Sequence, residues 1–224
     1  MKKTVKLFFV VIAFTMATDE LIAQNFVVKG GLNLSNMRIK DNDETFSDET
    51  KMNLGYHIGA TVEFPLSEIF SFETGLLVSA KGFKFSEEGT DFGGTYKRES
   101  EVNLLYMDIP VTAKTSFDLG NTKIYGVFGP YLGIGLSGKT KLELEYDGEV
   151  VSKEEDVRWG SDEEADLKKM DFGLTVGAGI ELNSFQMGLT YSLGLANISP
   201  YSENGYKISN RVLGISIGYK IGGK

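Results

Sequence analysis

The sequence predicts an all-β fold, an eight-stranded antiparallel up-and-down transmembrane β-barrel with long external loops and short periplasmic turns. Three observations lead there. Stretches of about ten residues alternate apolar with small or polar side chains, the period-two signature of a strand between two environments. The segments that join them alternate between long polar loops and tight turns. The chain also opens on an export signal. Its composition agrees: 27 Gly, 15 Phe and 10 Tyr against only 4 Pro favour strands over helices.

Residues 1–23 read as a cleavable signal peptide. Lys2, Lys3 and Lys6 precede the short apolar run Leu7 to Phe14, and the segment ends at small Ala23 before Gln24. The run is too short to span a bilayer as a helix. Cleavage between Ala23 and Gln24 would leave 24–224 as a single barrel domain. Removing three Lys together with Asp19 and Glu20 takes the net charge from -8 to -9. An acidic chain lacks the basic footprint that nucleic acid requires. Without cysteine there is no thiolate nucleophile, disulfide or Cys-ligated metal.

The first strand, Asn25 to Asn36, sets Phe26, Val28, Leu32 and Leu34 against Lys29, Gly31, Asn33 and Ser35. A polar loop, Met37 to Met52, leads to the second, Asn53 to Phe64. There Leu54, Tyr56, Ile58, Ala60, Val62 and Phe64 oppose Asn53, His57, Thr61 and Glu63. After a turn at Pro65 to Glu68, the third strand runs Ile69 to Phe83, and Leu77 breaks its alternation. Lys84 to Ser100 reads as a second polar loop. The fourth strand, Glu101 to Phe117, alternates cleanly in its latter half, with Met107, Ile109, Val111 and Ala113 against Asp108, Thr112 and Lys114. A turn at Asp118 to Asn121 opens the fifth strand, which continues through Leu142, Leu144 and Tyr146 to the hairpin signal Asp147-Gly148. The segment to Lys168 is an acidic excursion in which Ser161 to Glu164 could cap a short helix. The sixth strand is Lys169 to Asn183 and the seventh begins at Phe185. A loop from Asn197 to Ser209 precedes the eighth, Asn210 to Ile221.

Gly133 to Thr140, GIGLSGKT, formally matches a phosphate-binding loop. That motif needs a helix after the loop to hold phosphate at its N-terminus. Here Lys-Leu-Glu-Leu-Glu-Tyr follows and alternates as strand, so no nucleotide is expected despite the match.

Alternation alone leaves open which face meets lipid. A soluble ligand-binding barrel would turn its apolar face inward. Two features favour the inverse. The apolar face runs uninterrupted by charge for whole strands, and the other is rich in Gly, Ser and Thr, which suit a narrow lumen. Aromatics also gather on the apolar face at the short-turn ends: Phe64, Phe70, Phe72, Phe117, Phe185 and Tyr219, an expected interfacial girdle. The opposite face then sends His57, Glu63, Glu73, Lys81, Lys114, Asp171, Glu181 and Lys220 into the lumen. Charges buried there need partners, so an ion network that largely fills the barrel is expected.

Catalysis finds little support. His57 is the sole histidine, lies within a strand, and has no evident Ser or Asp partner in the sequence. Neither acidic loop, Asp41 to Glu49 or Glu143 to Asp166, has the ligand spacing and Gly of a calcium loop. No enzyme activity, metal or cofactor is expected.

Several short motifs occur in a telling order. They are Gly30-Gly-Leu-Asn-Leu-Ser35, Phe72-Glu-Thr-Gly-Leu-Leu77 with Lys81-Gly82, Met107-Asp-Ile-Pro-Val111 and Gly129-Pro-Tyr-Leu-Gly133. Asp171-Phe-Gly, Gly177-Ala-Gly-Ile-Glu181 and Asn210-Arg-Val-Leu213 follow. Together they resemble the PorT-type outer-membrane β-barrel domain of Bacteroidota, a porin-family-like group. The resemblance implies an outer-membrane barrel and, through the name-giving member, a link to protein secretion. The expected role is a structural or surface-interaction protein of a Gram-negative outer membrane, in contact with lipid and meeting protein partners through its external loops. A component of a secretion or transport assembly and a soluble ligand-binding barrel are the alternatives.

Overall fold

A computed structural model of the chain describes residues 24–45, 50–91, 94–146, 148–162 and 164–222. The expected signal peptide, including Ala23, lies outside these residues, and Gln24 is the first one described.

Nine strands form among the described residues: β1 (Asn25–Lys40), β2 (Thr50–Pro65), β3 (Phe70–Asp91), β4 (Gly94–Asp118), β5 (Thr122–Tyr146), β6 (Glu149–Asp156), β7 (Met170–Leu182), β8 (Phe185–Gly194) and β9 (Lys207–Ile221). All pairings between these strands are antiparallel. The order β4-β3-β2-β1-β9-β8-β7-β5, with β4 pairing back onto β5, closes a ring of eight strands. The last strand meets the first in a long register from Phe26↔Ile221 to Lys40↔Lys207. Closure removes the free edges that an open sheet would leave in lipid.

Local chemistry makes the short turns. Leu66 and Ser67 amides both donate to the Phe70 carbonyl, at 2.8 and 3.0 Å. Between β4 and β5 the Asp118 carboxylate accepts the Gly120 amide at 3.1 Å, while Gly120 adopts φ 84°. Asn183, which tolerates the left-handed region, takes φ 54° between β7 and β8.

The barrel is inverted relative to a soluble protein. Phe128 is 59% exposed and Leu54 65%, whereas Lys114 is 1% exposed and Asp171 0%. Apolar rows facing out with ions sealed within suit a hydrocarbon surround, and the soluble ligand-binding arrangement is thereby corrected. Phe128→Arg, on the outward face where β5 lies between β4 and β7, is expected to destabilise the membrane-embedded barrel by about 2–4 kcal/mol. Val150→Arg at the tip of β6 should change it little. Urea unfolding in phospholipid bilayers, followed by gel mobility, measures both.

Three sequence expectations need correction. Lys84 to Ser100 is mostly strand, the outer arms of β3 and β4 paired from Lys84↔Glu101 to Asp91↔Gly94. Glu149 to Asp156, within the acidic excursion, is likewise strand, because β6 folds back on β5 from Tyr146↔Glu149 to Lys139↔Asp156. These arms face water on both sides, so charge occupies both faces and masks the period-two pattern. Finally, Ser161 to Glu164 starts no helix among the described residues; the Asp162 carboxylate accepts the Glu164 amide in a turn.

The result is an asymmetric barrel. β5 passes Ile134, its last partner on β7, and continues twelve residues to Tyr146. At about 3.3 Å per residue that arm extends roughly 40 Å along the strand. Within it, Leu105 pairs Ser137 while Tyr106 pairs Gly135, so Leu136 is an extra residue. This bulge resets the alternation, and Gly138 then faces inward where Ser137 faces out. The phosphate-loop motif is therefore continuous bulged strand.

Candidate functional site

The inward side chains of all eight ring strands define the candidate site, a lumen organised in four levels. At the short-turn end, Lys114 Nζ donates to Glu63 Oε1 and Glu181 Oε1, both at 2.5 Å. Lys220 completes a four-charge cluster at 2.9 Å from Glu181 Oε2 and 3.5 Å from Glu63 Oε2. Gln186 Nε2 donates to both glutamates, and the Tyr125 ring lies 4.4 Å from Lys114 Nζ. Opposite charge and a full donor set hold these ions out of bulk water.

Above this, Glu73 pairs with Lys29 at 2.6 Å. His57 Nδ1 lies 2.8 Å from Asn33 Oδ1, and Asn33 Nδ2 donates to Ser79 Oγ and two backbone carbonyls. A cavity of about 120 Å³ opens here, with Ser79, Thr112, Thr175, Thr190, Ser192 and Ser216 among the residues that line it. Leu77, the break in the third strand's alternation, points into it. Glu73 Oε2 and Thr112 Oγ1 are buried on its wall without a protein partner. A cavity of this size has room for several ordered waters, and these two oxygens would hold one in place. The expectation of a largely filled lumen is amended to that extent.

A second charged layer lies beyond the cavity. Lys81 Nζ meets Asp108 at 2.8 Å and Asp171 at 3.4 Å, flanked by the rings of Tyr106 and Tyr131 at 4.6 and 4.8 Å. Asp171 Oδ2 also accepts from Tyr131 Oη and Asn210 Nδ2.

The external mouth is closed by an apolar plug. Met37, Leu104, Tyr106, Val157, Leu167, Ala196 and Ile198 form one buried cluster with Trp159 against it. The Trp159 ring meets Tyr106 edge-on at 5.6 Å. Glycine makes this possible: a Cβ on Gly135 would sit 2.6 Å from the Trp159 ring. The 157–167 segment is tied by Arg158, whose guanidinium reaches Asp166 at 3.1 Å while its amide donates to the same carboxylate at 2.8 Å.

Those two bonds from Arg158 hold the Asp166 carboxyl below its ordinary range. A depressed folded-state pKa stabilises the tied loop above the unfolded value of about 4, and the contribution is lost as pH falls through the lower folded value. Trp159 is the chain's only tryptophan. Its fluorescence should stay constant from pH 7 to about 5 and then shift toward that of a hydrated indole below about 4. Asp166→Asn should lack that component; an unchanged acid transition would exclude Asp166 as its source.

All eight lumen residues named from sequence point inward, but in separate groups. Glu63, Lys114, Glu181 and Lys220 meet at the short-turn end, and Lys81 with Asp171 lies at the far layer. Glu73 and His57 sit beside the cavity. The six aromatics lie outward at the short-turn end. Phe64 and Phe72 rings are 6.2 Å apart, Phe185 and Tyr219 are 5.2 Å apart, and Phe70 and Phe117 are each about half exposed. Lys29, Asp108 and Gln186 share the inward parity of their strands, a signal sufficient to have added them. Tyr106, Tyr125 and Tyr131 carry the same parity, but an aromatic among apolar neighbours gives no sign of facing an ion.

A closed ring with ions inside and apolar rows outside defines a transmembrane β-barrel. The family model of the outer membrane protein β-barrel domain matches residues 21–199, and the chain belongs to that family. The protein is thus a small barrel of a Gram-negative outer membrane, set in lipid. Among solved structures it is similar to Ail, the attachment invasion locus protein of Yersinia pestis, in complex with the heparin analogue sucrose octasulfate. Identity is 16%, covering 89% of this chain and 99% of that one, with a TM-score of 0.32. Neisserial surface protein A aligns at 10% identity over 88% and 97%, TM-score 0.38. OprG of Pseudomonas aeruginosa aligns at 14% over 89% and 97%, TM-score 0.36. No curated protein matches the sequence.

Proposed function

We propose that the protein is a non-enzymatic surface-interaction barrel, whose lumen is a sealed support and whose working part is the external arm. Residues 24–224 would be the mature single domain after loss of the signal peptide. One observation carries this reading: the outer halves of β3, β4 and β5, with β6, form a sheet beyond the ring, ordered by cross-strand register throughout. Charged pairs such as Lys84–Glu101 and Lys141–Glu143 decorate it. A rigid sheet presents a surface at lower entropic cost than a mobile loop. The plug and two ion layers argue against solute passage.

Two measurements test it. The purified full chain in planar bilayers should show no conductance steps at neutral pH. A photocrosslinking residue placed at Val151 on the arm should capture a discrete envelope component in intact cells, whereas one at Phe128 should capture lipid. Regular conductance, or no specific adduct from any arm position, would overturn the reading. The PorT-type motif order supports a second reading, a place in a secretion assembly. With the lumen closed, that role would also run through the arm, and a stable co-purifying complex would distinguish it.

A further inference from the structure

The wall opposite the external arm carries charge of one sign. β1, β9 and β8 are neighbours in the ring, and none of them contains an Asp or Glu, although the chain holds 31 acids. Strand register orders their outward side chains. Leu34, Leu213 and Tyr191 close the apolar belt. Asn36, Arg211 and Leu193 form the next row, followed by Arg38 beside Ser209 and then Lys40 beside Lys207. Four cations thus stand just beyond the hydrocarbon belt, at the end where β1 runs into its long loop.

No carboxylate answers them. Among the described residues none of the four has an ion pair, whereas on the arm Lys84 meets Glu101 at 3.3 Å and Lys139 meets Glu154 at 2.5 Å. Asp41, next in the chain after Lys40, turns its Oδ1 to the amides of Asp43 and Glu44 at 2.9 and 2.7 Å. Lys40 and Lys207 face each other directly, and like charges so placed destabilise a strand pair unless an anion lies between them. Lys207 Nζ donates to the Leu195 carbonyl at 2.7 Å, which leaves an ammonium with protons to spare. Arg211 Nε is buried without a protein partner. A depression of about 140 Å³ lies among these groups, lined by Arg38, Lys40, Lys207 and Ser209, with Leu193 and Leu195 on the β8 side.

We infer that this basic strip binds the phosphorylated glycolipid of the outer leaflet. Its phosphates meet Arg38, Lys40, Lys207 and Arg211, and an acyl chain lies along Leu193 and Leu195. The strip borders the belt at the external end, so its occupant must be both anionic and amphiphilic. That leaflet is built of such a lipid. Guanidinium groups grip phosphate through paired hydrogen bonds, and the lysines add compact charge. From Arg211 to Lys207 the strip runs about 13 Å along the strand. That length suits a lipid with more than one phosphate; a single phosphodiester would leave much of the charge unanswered.

The test presents the full chain in mild detergent with equal amounts of diphosphoryl lipid A, the same lipid A stripped of phosphate, and phosphatidylglycerol. Native mass spectrometry reads which lipid is retained. The wild-type protein should hold diphosphoryl lipid A over either competitor by about ten-fold. Millimolar inorganic phosphate should not displace it. Replacing Arg38, Lys40 and Lys207 together by Gln should abolish the preference while the gel shift of the folded barrel persists. Lys40→Gln alone should weaken it, and Lys40→Arg with Lys207→Arg should keep it. Lys123→Gln, a charge loss at the short-turn end of β5, should change nothing. Equal retention of the two lipid A forms, or of phosphatidylglycerol, would overturn the inference. So would displacement by inorganic phosphate, an unchanged preference in the triple variant, or an equal loss in Lys123→Gln.

Discussion

Lys114→Met is expected to lower the stability of the barrel by about 3 kcal/mol, the low end of the cost of breaking a buried ion pair. Glu63 and Glu181 are each under 5% exposed, and both take their shortest contact from this one ammonium. Methionine keeps the length of the side chain and much of its volume, so packing changes little. The cost is electrostatic: two buried carboxylates would be left to share Lys220, which is one-fifth exposed and 3.5 Å from Glu63. Unfolding in urea, followed by the mobility difference between folded and unfolded barrel, reads the change. Adding Glu63→Gln to the same chain should recover most of the loss, because Glu181 and Lys220, 2.9 Å apart, then remain as a balanced pair. A wild-type midpoint for Lys114→Met, or no recovery in the double variant, would show that the cluster is not held by this charge balance.

How much was legible in the sequence depends on what each residue faces. Where one side of a strand meets lipid and the other the lumen, alternation is strict, and β2, β7 and β8 could be read almost residue by residue. The outer arms were hidden because water on both sides removes any reason to alternate; Lys84, Glu87, Glu99 and Lys153 read as loop although they sit in strand. Lumen charges were legible by parity, since Glu63 or Asp171 can only point away from the apolar face. Their grouping was not. That Lys81 reaches Asp171, ninety residues away, depends on ring closure and barrel stagger, which no local pattern encodes. The plug was least visible. Val157, Trp159, Ala165 and Leu167 are isolated apolar residues in an acidic segment, and only the fold reveals that Gly135 and Gly138 leave room for them.

Trp159→Ala should open the external mouth while leaving the barrel closed in lipid. Truncating a buried tryptophan costs roughly 3–5 kcal/mol, and Trp159, only partly buried, belongs at the low end. The loss falls on the segment that the ring anchors, because the ring strands keep every backbone pairing; local opening, not global unfolding, is the affected equilibrium. Hydrogen exchange should therefore accelerate in 157–167 and around Ile198, with β7 and β8 unchanged. Gly135→Val reaches the same state by another route: its branched side chain would start 2.6 Å from the indole and displace it without deleting any apolar group. Agreement between the two variants would separate plug opening from a general loss of packing; acceleration spread over β7 and β8 would contradict it. Neither variant should conduct ions, since the Lys81 layer and the Lys114 cluster still close the lumen below. Conductance is expected only when Trp159→Ala is combined with changes at both ion layers, for the barrel is sealed in series.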